Sequence, residues 1–324
     1  MDPIPPIPLS AIEEARGRIA HAAIRTPLVP FDGDNGPGEV WLKLECLQSI
    51  GSFKIRGAAN ALALAPPEAL EGGVYTASAG NMAQGVAFAA RQMGVACRVI
   101  VPDTAPRTKI EAIEGLGGTV VPLPFDAWWR TIMEHGHPSE SGFFVHPVSD
   151  PAVIAGNGTV ALEILEDLPD FDAVFVPYGG GGLSCGIASA LAEKAPGVPV
   201  HAVEVETSAP FIASLEAGRA VSVDRTPSFV DGIGGSSVLE EMWPLAESLL
   251  AGSKVVSLEA VCDGIRTLAT RAHVVAEGAG GAAVAAALEW ATESGGTAVA
   301  VVSGGNIDTD VLATILEGGV PHSP

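Results

Sequence analysis

The chain has 324 residues, with 17 Lys and Arg against 38 Asp and Glu, and a formal net charge of −21. That length supports a large core and about two domains, and the negative charge disfavours nucleic acid, whose phosphates it would repel. Hydrophobic residues make up 48%, with charges interspersed, which argues against disorder, and no apolar run approaches the ~20 residues that cross a bilayer.

The opening MDPIPPIPLS carries an acid and four prolines. It reads as an extended arm and lacks the basic start and apolar stretch of a signal peptide. Cys46, Cys97, Cys185 and Cys262 lie far apart with no C-x-x-C pair. Neither a disulfide framework nor a zinc site is suggested, and a reducing cytoplasm is the simplest compartment. A first helix is expected over SAIEEARGRIAHAA, where Ser10 and Glu13 stand at capping-box spacing. Strand EVWLKLE, helix IRGAANALALA, strand GGVYTAS and helix NMAQGVAFAARQMG follow. Strand ACRVIVP, helix PRTKIEAIEGLG, strand GTVVPLP, helix DAWWRTIMEHG and strand GFFVHPV continue the alternation. His135 and His137 form a close pair there, and their spacing at a helix end reads as a solvated loop.

After SDPAVIAGNG the rhythm resumes with helix TVALEILEDL and strand DAVFVPYG. A glycine run leads into helix LSCGIASALAEKA, then strand PVHAVEVE and helix APFIASLEAG. GRAVSVDRTPSFVDGIGGSS is the longest stretch without periodicity, and long loops of this kind are often functional. Strand SKVVSL, helices EAVCDGIRTLATRA and GAGGAAVAAALEWATE, and strand TAVAVVSGG close the pattern. Short apolar strands alternating with amphipathic helices predict open, twisted, mostly parallel sheets covered by helices, an α/β fold. Such sheets bind ligands beyond the carboxyl ends of their strands.

Four loops after strands are therefore candidates: SIGSFK (49–54), SAGN (78–81), GGGGLSCG (179–186) and SGGN (303–306). A glycine run before a helix can hold a phosphate on backbone N–H groups and the helix dipole, or can be a flexible turn. It is neither a P-loop nor the dinucleotide spacing. SAGN offers a hydroxyl, backbone donors and an amide at a helix start, and Ser78 or Asn81 could equally cap that helix. Lys54 follows Gly51, Ser52 and Phe53. Apolar neighbours disfavour its charged form and make the amine a usable nucleophile and base, although a snorkelling surface lysine is the alternative. A lysine amine together with a phosphate loop is the binding signature of pyridoxal phosphate.

KLECLQSIGSFKIRGAAN, SAGNMAQG, GNGTVALEILE, VPYGGGGLSCGIA, VAEGAGGAA and VVSGGN occur in order and cover most of the chain. Together they resemble the fold-type II (tryptophan synthase beta-like) pyridoxal-phosphate enzymes of the threonine/serine dehydratase and serine racemase family. By that resemblance Lys54 is the Schiff-base lysine and Phe53 packs beside the cofactor ring. Gly179, Gly180, Gly181, Gly182 and Leu183 form the phosphate loop. Asn81 meets the phenolic oxygen and Ser303 the pyridine nitrogen. Ser78, Gly80 and Asn81 lie where the substrate carboxylate binds, with Lys54 and Ser78 as candidate catalytic residues. The implied activity is elimination of water from a β-hydroxy amino acid, giving a 2-keto acid and ammonia. Lys54 would remove the α-proton, and a neutral hydroxyl at the ring nitrogen suits a short-lived carbanion.

Three positions depart from the family pattern. Met82 replaces a histidine after the asparagine, exchanging a polar group for a flexible apolar one. Ala79 stands where racemases carry a second serine, so efficient racemisation is not expected. Glu204 matches the first acid of the family's divalent-metal site, but the second falls on Pro210. Glu206 reads as a surface acid, and no metal is assigned. The tryptophans of DAWWR can be core and interface residues, or an aromatic wall in which Trp128 contacts substrate beside Met82. The second reading points to a bulky substrate such as a 3-phenylserine, with Arg130 available for a carboxylate. The expected organisation is a large cofactor-binding domain, 1–71 and 147–324, with a smaller inserted domain, 72–146, closing over the substrate. No C-terminal regulatory domain, and no feedback inhibition through one, is expected. A small amino-acid substrate, a homodimer, no nucleic acid and no membrane complete the expectation. An amino-acid racemase, or a cofactor-binding protein without turnover, are the alternatives.

Overall fold

The computed structural model describes residues 2–33 and 36–321, so Met1 of the N-terminal arm and the last three residues of the expected large domain lie outside it. In chain order the elements are α1 (Leu9–Ile19), β1 (Leu28–Phe31), β2 (Glu39–Lys43), α2 (Lys54–Leu64), α3 (Pro67–Leu70), β3 (Val74–Ala77) and α4 (Asn81–Met93). Then come β4 (Cys97–Pro102), α5 (Arg107–Gly115), β5 (Gly118–Leu123), α6 (Phe125–Met133), β6 (Phe143–Phe144), α7 (Pro151–Asp167), β7 (Ala173–Pro177) and α8 (Gly182–Lys194). The remainder is β8 (Val200–Val205), α9 (Pro210–Ala217), α10 (Trp243–Leu249), β9 (Gly252–Val256), α11 (Leu258–Thr267), α12 (Gly278–Ser294), β10 (Thr297–Val301) and α13 (Thr309–Leu316). Of these, β1, α3, α10 and α13 have no counterpart in the sequence reading.

Two sheets form. One runs β1-β2-β10-β7-β8-β9 and is parallel except between β1 and β2. The other runs β5-β4-β3-β6 and is wholly parallel. Every residue of β3 and of β7 is buried, as central parallel strands covered on both faces require. Among the described residues no helix is long and apolar enough to cross a membrane.

Two helix starts differ from expectation. α1 begins at Leu9 behind Pro8, with no side-chain cap, so Ser10 lies inside the first turn and the capping box does not form. The proline already fixes the entry, and α1 stops at Ile19 rather than Ala23. α7 takes in PAVIAGNG: Asp150 accepts from the N–H groups of Ala152 and Val153, and Pro151 needs no partner at the first helical position. A Cβ on Gly156 or Gly158 would strike the carbonyls of Arg56 and Gly186, so these glycines let α7 cross α2 and α8 closely.

α2 packs between α7 and α4, with Ile55, Ala58 and Leu62 sharing a core with Val86 and Val99 beneath the four-stranded sheet. Behind it lies a buried charge network. Arg56 donates to both oxygens of Glu45 at 2.7 and 2.8 Å and to both oxygens of Glu163 at 2.8 Å. Lys43 Nζ donates to Glu163 Oε2 and to the Thr26 carbonyl, both at 2.6 Å. Burial pushes Glu45 upward, but Arg56 and Lys43 overcome it and hold the acid below its usual value. Removing one partner of such a network strands the others without water. Arg56→Met is therefore expected to destabilise the protein by about 3–5 kcal/mol, read as a fall in its urea-unfolding midpoint.

Candidate active site

The loops after β2, β3, β7 and β10 converge at the carboxyl ends of their strands around a cavity of about 620 Å³. Of the residues that the sequence offered for cofactor and substrate, Phe53, Lys54, Ser78, Gly80, Asn81, Met82, Trp128, Gly179 to Leu183 and Ser303 line it, and Arg130 does not. Lys54 opens α2. The loop before it is clipped to the loop after β10, since Phe53 N–H donates to the Ser303 carbonyl at 3.0 Å and Gly305 N–H to the Gly51 carbonyl at 2.8 Å. Gly51 has φ +72°, and a Cβ there would lie 2.5 Å from Asn306 Oδ1. Lys54 Nζ donates to the Pro147 carbonyl at 2.9 Å and lies 5.2 Å from the Phe53 ring centre. No carboxylate pairs with it among the described residues. Burial lowers its pKa to about 8, against an upward pull from Glu277.

Across the cavity, the glycine run has the shape of an anion cradle. Gly181 precedes α8 with φ +91°, in the left-handed region. A Cβ on Gly180 would lie 2.5 Å from Val148 Cγ1, and one on Gly179 would lie 2.8 Å from the Gly232 carbonyl. The first N–H groups of α8 have no carbonyl of their own helix to bond. A lysine amine with a depressed pKa facing an anion cradle fits pyridoxal phosphate.

At the start of α4 the capping alternative fails. Gly80 is the N-cap, and neither Ser78 nor Asn81 caps the helix. Ser78 Oγ instead accepts from Gly80 N–H at 3.2 Å. Asn81 donates to both oxygens of Glu277 at 2.9 and 3.0 Å and accepts from Asn306 Nδ2 at 2.8 Å. Glu277 and Asn306 both line the cavity and were not assigned from sequence. The available signal for Glu277 was an acid among small apolar residues at a helix start. Burial pushes its carboxyl up to about 7.

α6 places Phe125, Trp128, Trp129 and Ile132 on the cavity wall, with ring centroids 5.4 Å apart for Phe125–Trp128 and 6.0 Å for the two tryptophans. Met82 lines the same cavity but is only 2% exposed, its side chain packed into the core. Arg130 is exposed and does not line the cavity, so the suggested carboxylate contact is not formed. Lys54 and Lys109 are the cations of the wall, and Lys109 is paired with Asp231. Glu204 is buried. Its oxygens accept from Phe211 N–H, Ile212 N–H and Ser253 Oγ, which makes it the cap of α9. With Pro210 contributing no side-chain oxygen, this donor set does not fit a hard divalent cation. Glu206 accepts from Leu258 N–H at 2.7 Å. The solvated-loop reading is overturned for His135, which stacks on buried His146 at 4.2 Å and lies 3.3 Å from Glu241.

Comparison with known proteins agrees with this geometry. Residues 19–304 match the family described as pyridoxal-phosphate dependent enzyme. The chain is 40% identical over 321 residues to the L-threonine ammonia-lyase of Thermotoga maritima, covering 98% of this chain and 80% of that one. Maize serine racemase superposes with a TM-score of 0.89 at 29% identity, over 97% of this chain and 98% of that one. The processed form of threonine deaminase isoform 2 from Solanum lycopersicum gives 0.86 at 31% identity, over 95% and 87%. The chain belongs to the fold-type II pyridoxal-phosphate enzymes, in the threonine dehydratase and serine racemase family. It is a carbon–oxygen lyase of the dehydratase type, and its cofactor is pyridoxal 5′-phosphate.

The Glu277 carboxyl carries a pH signature. Its folded pKa of about 7 lies above the ordinary 4.5, so the folded chain keeps a proton that the unfolded chain releases. Its contribution to stability is present below pH 4.5 and is lost as pH rises through 7. In the cofactor-free protein, infrared difference spectra should show a protonated carboxyl band fading through that range. Glu277→Gln should lack the band and the matching slope in stability.

Proposed function

We propose that the enzyme eliminates water from an uncharged β-hydroxy amino acid, releasing a 2-keto acid and ammonia, and that a substrate bulkier than threonine, such as a 3-phenylserine, is accepted. Bound pyridoxal phosphate supplies the electron sink for loss of the α-proton. Lys54 would hold it through its amine, Gly179 to Leu183 its phosphate, Asn81 its phenolic oxygen and Ser303 its ring nitrogen, with Phe53 against the ring. The observation that carries the reading is the Lys54 amine, depressed to about 8 and facing the glycine cradle. An amine of that pKa accepts a proton near neutral pH.

The rest of the wall supports the substrate class. The start of α4, from Ser78 to Asn81, offers N–H groups and a hydroxyl to the substrate carboxylate. Lys109 is engaged by Asp231, and Asp308 also lines the mouth, so a second carboxylate on the substrate would meet acids. Trp128, Trp129 and Phe125 offer an apolar, flat surface to a large β-substituent, while the Met82 side chain is turned into the core. Ala79 has no proton to give from the opposite face, which weighs against racemisation. Residues 72–146 form the lobe that closes over the substrate, with the Lys109–Asp231 pair crossing the mouth.

Ammonia release should be measured on serine, threonine, 3-hydroxyaspartate and 3-phenylserine, each as separate stereoisomers. Release is expected from neutral members and not from 3-hydroxyaspartate. Lys54→Ala should lower it by about 10³-fold or more while the fold is retained. Trp128→Ala with Trp129→Ala should cut the phenylserine-to-threonine ratio of kcat/KM by about tenfold or more. An unchanged ratio would remove the aromatic wall from the argument, and chiral inversion without ammonia would replace elimination with racemisation.

A further inference from the structure

The segment His146–Ser149 does two things at the site. The Pro147 carbonyl accepts from Lys54 Nζ at 2.9 Å, and the Val148 side chain closes against Gly180. Proline has no N–H of its own to fix this turn, so its shape has to be set from elsewhere. His146 sets it. Its Nδ1 accepts from Ser149 N–H at 2.7 Å and Val148 N–H at 3.1 Å, which leaves the ring proton on Nε2, 3.2 Å from the Ile132 carbonyl of α6. The ring is 2% exposed and lies between His135, stacked at 4.2 Å, and the edge of Phe144 at 5.9 Å. Ser149 Oγ donates to Glu241 Oε1 at 2.8 Å. His135 reaches the same oxygen from a backbone φ of +52°, a left-handed conformation uncommon for residues with a Cβ.

His135, His146 and Glu241 bring ligand-type atoms within 4.8 Å of one another. Both His146 nitrogens are already committed, however, one to two backbone donors and one to a carbonyl, so the cluster does not have the free lone pairs of a metal site. We propose that His146 is a positioning residue: its imidazole, braced by His135, Ser149 and Glu241, holds the 147–149 turn so that the Pro147 carbonyl meets the Lys54 amine. This rests on the reading of Lys54 as the reactive lysine. Burial, and then the neighbouring His135, push the His146 pKa down to about 3, so its acceptor stays intact across the working range. Glu277 is the ionisable group that acts on Lys54, and His135, Glu241 and Lys54 itself are those that act on His146.

The test uses the cofactor-free full chain. Lys54 is acylated with an amine-selective reagent across pH, and its labelling is read by peptide mass spectrometry. The wild-type midpoint is expected near 8. His146→Leu removes the acceptor, loosens the turn and admits water, so the midpoint should rise by about one unit. His146→Asn keeps an acceptor at the Nδ1 position and should restore it. In the holoenzyme, His146→Leu should lower kcat about tenfold with KM within about twofold, and His146→Asn should recover most of the loss. A folded His146→Leu with the wild-type midpoint overturns the positioning role while leaving Lys54 as the reactive lysine. A wild-type midpoint at the ordinary 10.5 overturns both. Should His146→Leu fail to fold, Ser149→Ala removes the hydroxyl that donates to Glu241 and lies 3.0 Å from His146 Nδ1 and 3.3 Å from His135 Nε2, and leaves the imidazole in place. A smaller rise is then expected, and an unchanged midpoint overturns the proposal.

Discussion

Arg56, held in the interior between Glu45 and Glu163, fixes the helix on which Lys54 stands. Only Ile55 lies between them in sequence, and a step of two residues, about 200° around α2, turns Arg56 to the face opposite Lys54. Taking an ion out of water costs several kcal/mol. The network bears that cost because Lys43 and Arg56 balance Glu45 and Glu163, and because a planar guanidinium can meet two carboxylates at once. A Lys at 56 would offer a point charge and lose one fork. With the back of α2 anchored this way, and its front clipped to the loop after β10, Lys54 has little freedom in where its amine arrives.

The cavity then works with few charges. An acidic chain has put two lysines on this wall, and one is tied to Asp231. Backbone N–H groups at the starts of α4 and α8 are then the donors on offer to an anion. The same economy explains the two shifted groups. Lys54 falls to about 8 and Glu277 rises to about 7 because each is desolvated without a close counter-ion to restore its charge. Glu277 meets instead the neutral amide of Asn81, which in turn accepts from Asn306. The chain from Asn306 to Asn81 to Glu277 orients the asparagine on the cavity wall.

Much of this was legible before any coordinates. Strand and helix alternation gave the α/β class, because a parallel strand buried on both faces reads as a short apolar run. The four loops carrying Lys54, Ser78, Gly179 and Ser303 were identifiable because each follows such a strand. Glu277 and Asn306 lie in VAEGAGGAA and SGGN but were given no role, since their partners stand 196 and 225 residues away and nothing local names them. The Ser10 capping box and the Ser78 or Asn81 cap were plausible locally. They failed because Pro8 and Gly80 already set the helix starts. His135 looked solvated because nothing nearby in sequence reveals that His146 and Glu241 come to meet it.

The sequence by itself determined the elements, their order and the chemistry on offer: a lysine after a glycine turn, a glycine run before a helix, and two adjacent tryptophans in an otherwise aromatic-poor chain. These are local properties, decided by backbone preference and by side-chain period. Only the tertiary structure decided which of them act together. It directed Trp128 and Trp129 to the cavity and Arg130 away from it, and it turned Glu204 into a helix cap. It also brought Pro147 to the lysine. Those outcomes depend on burial and on contacts across the whole chain, which set both the pKa of a side chain and the partner it meets.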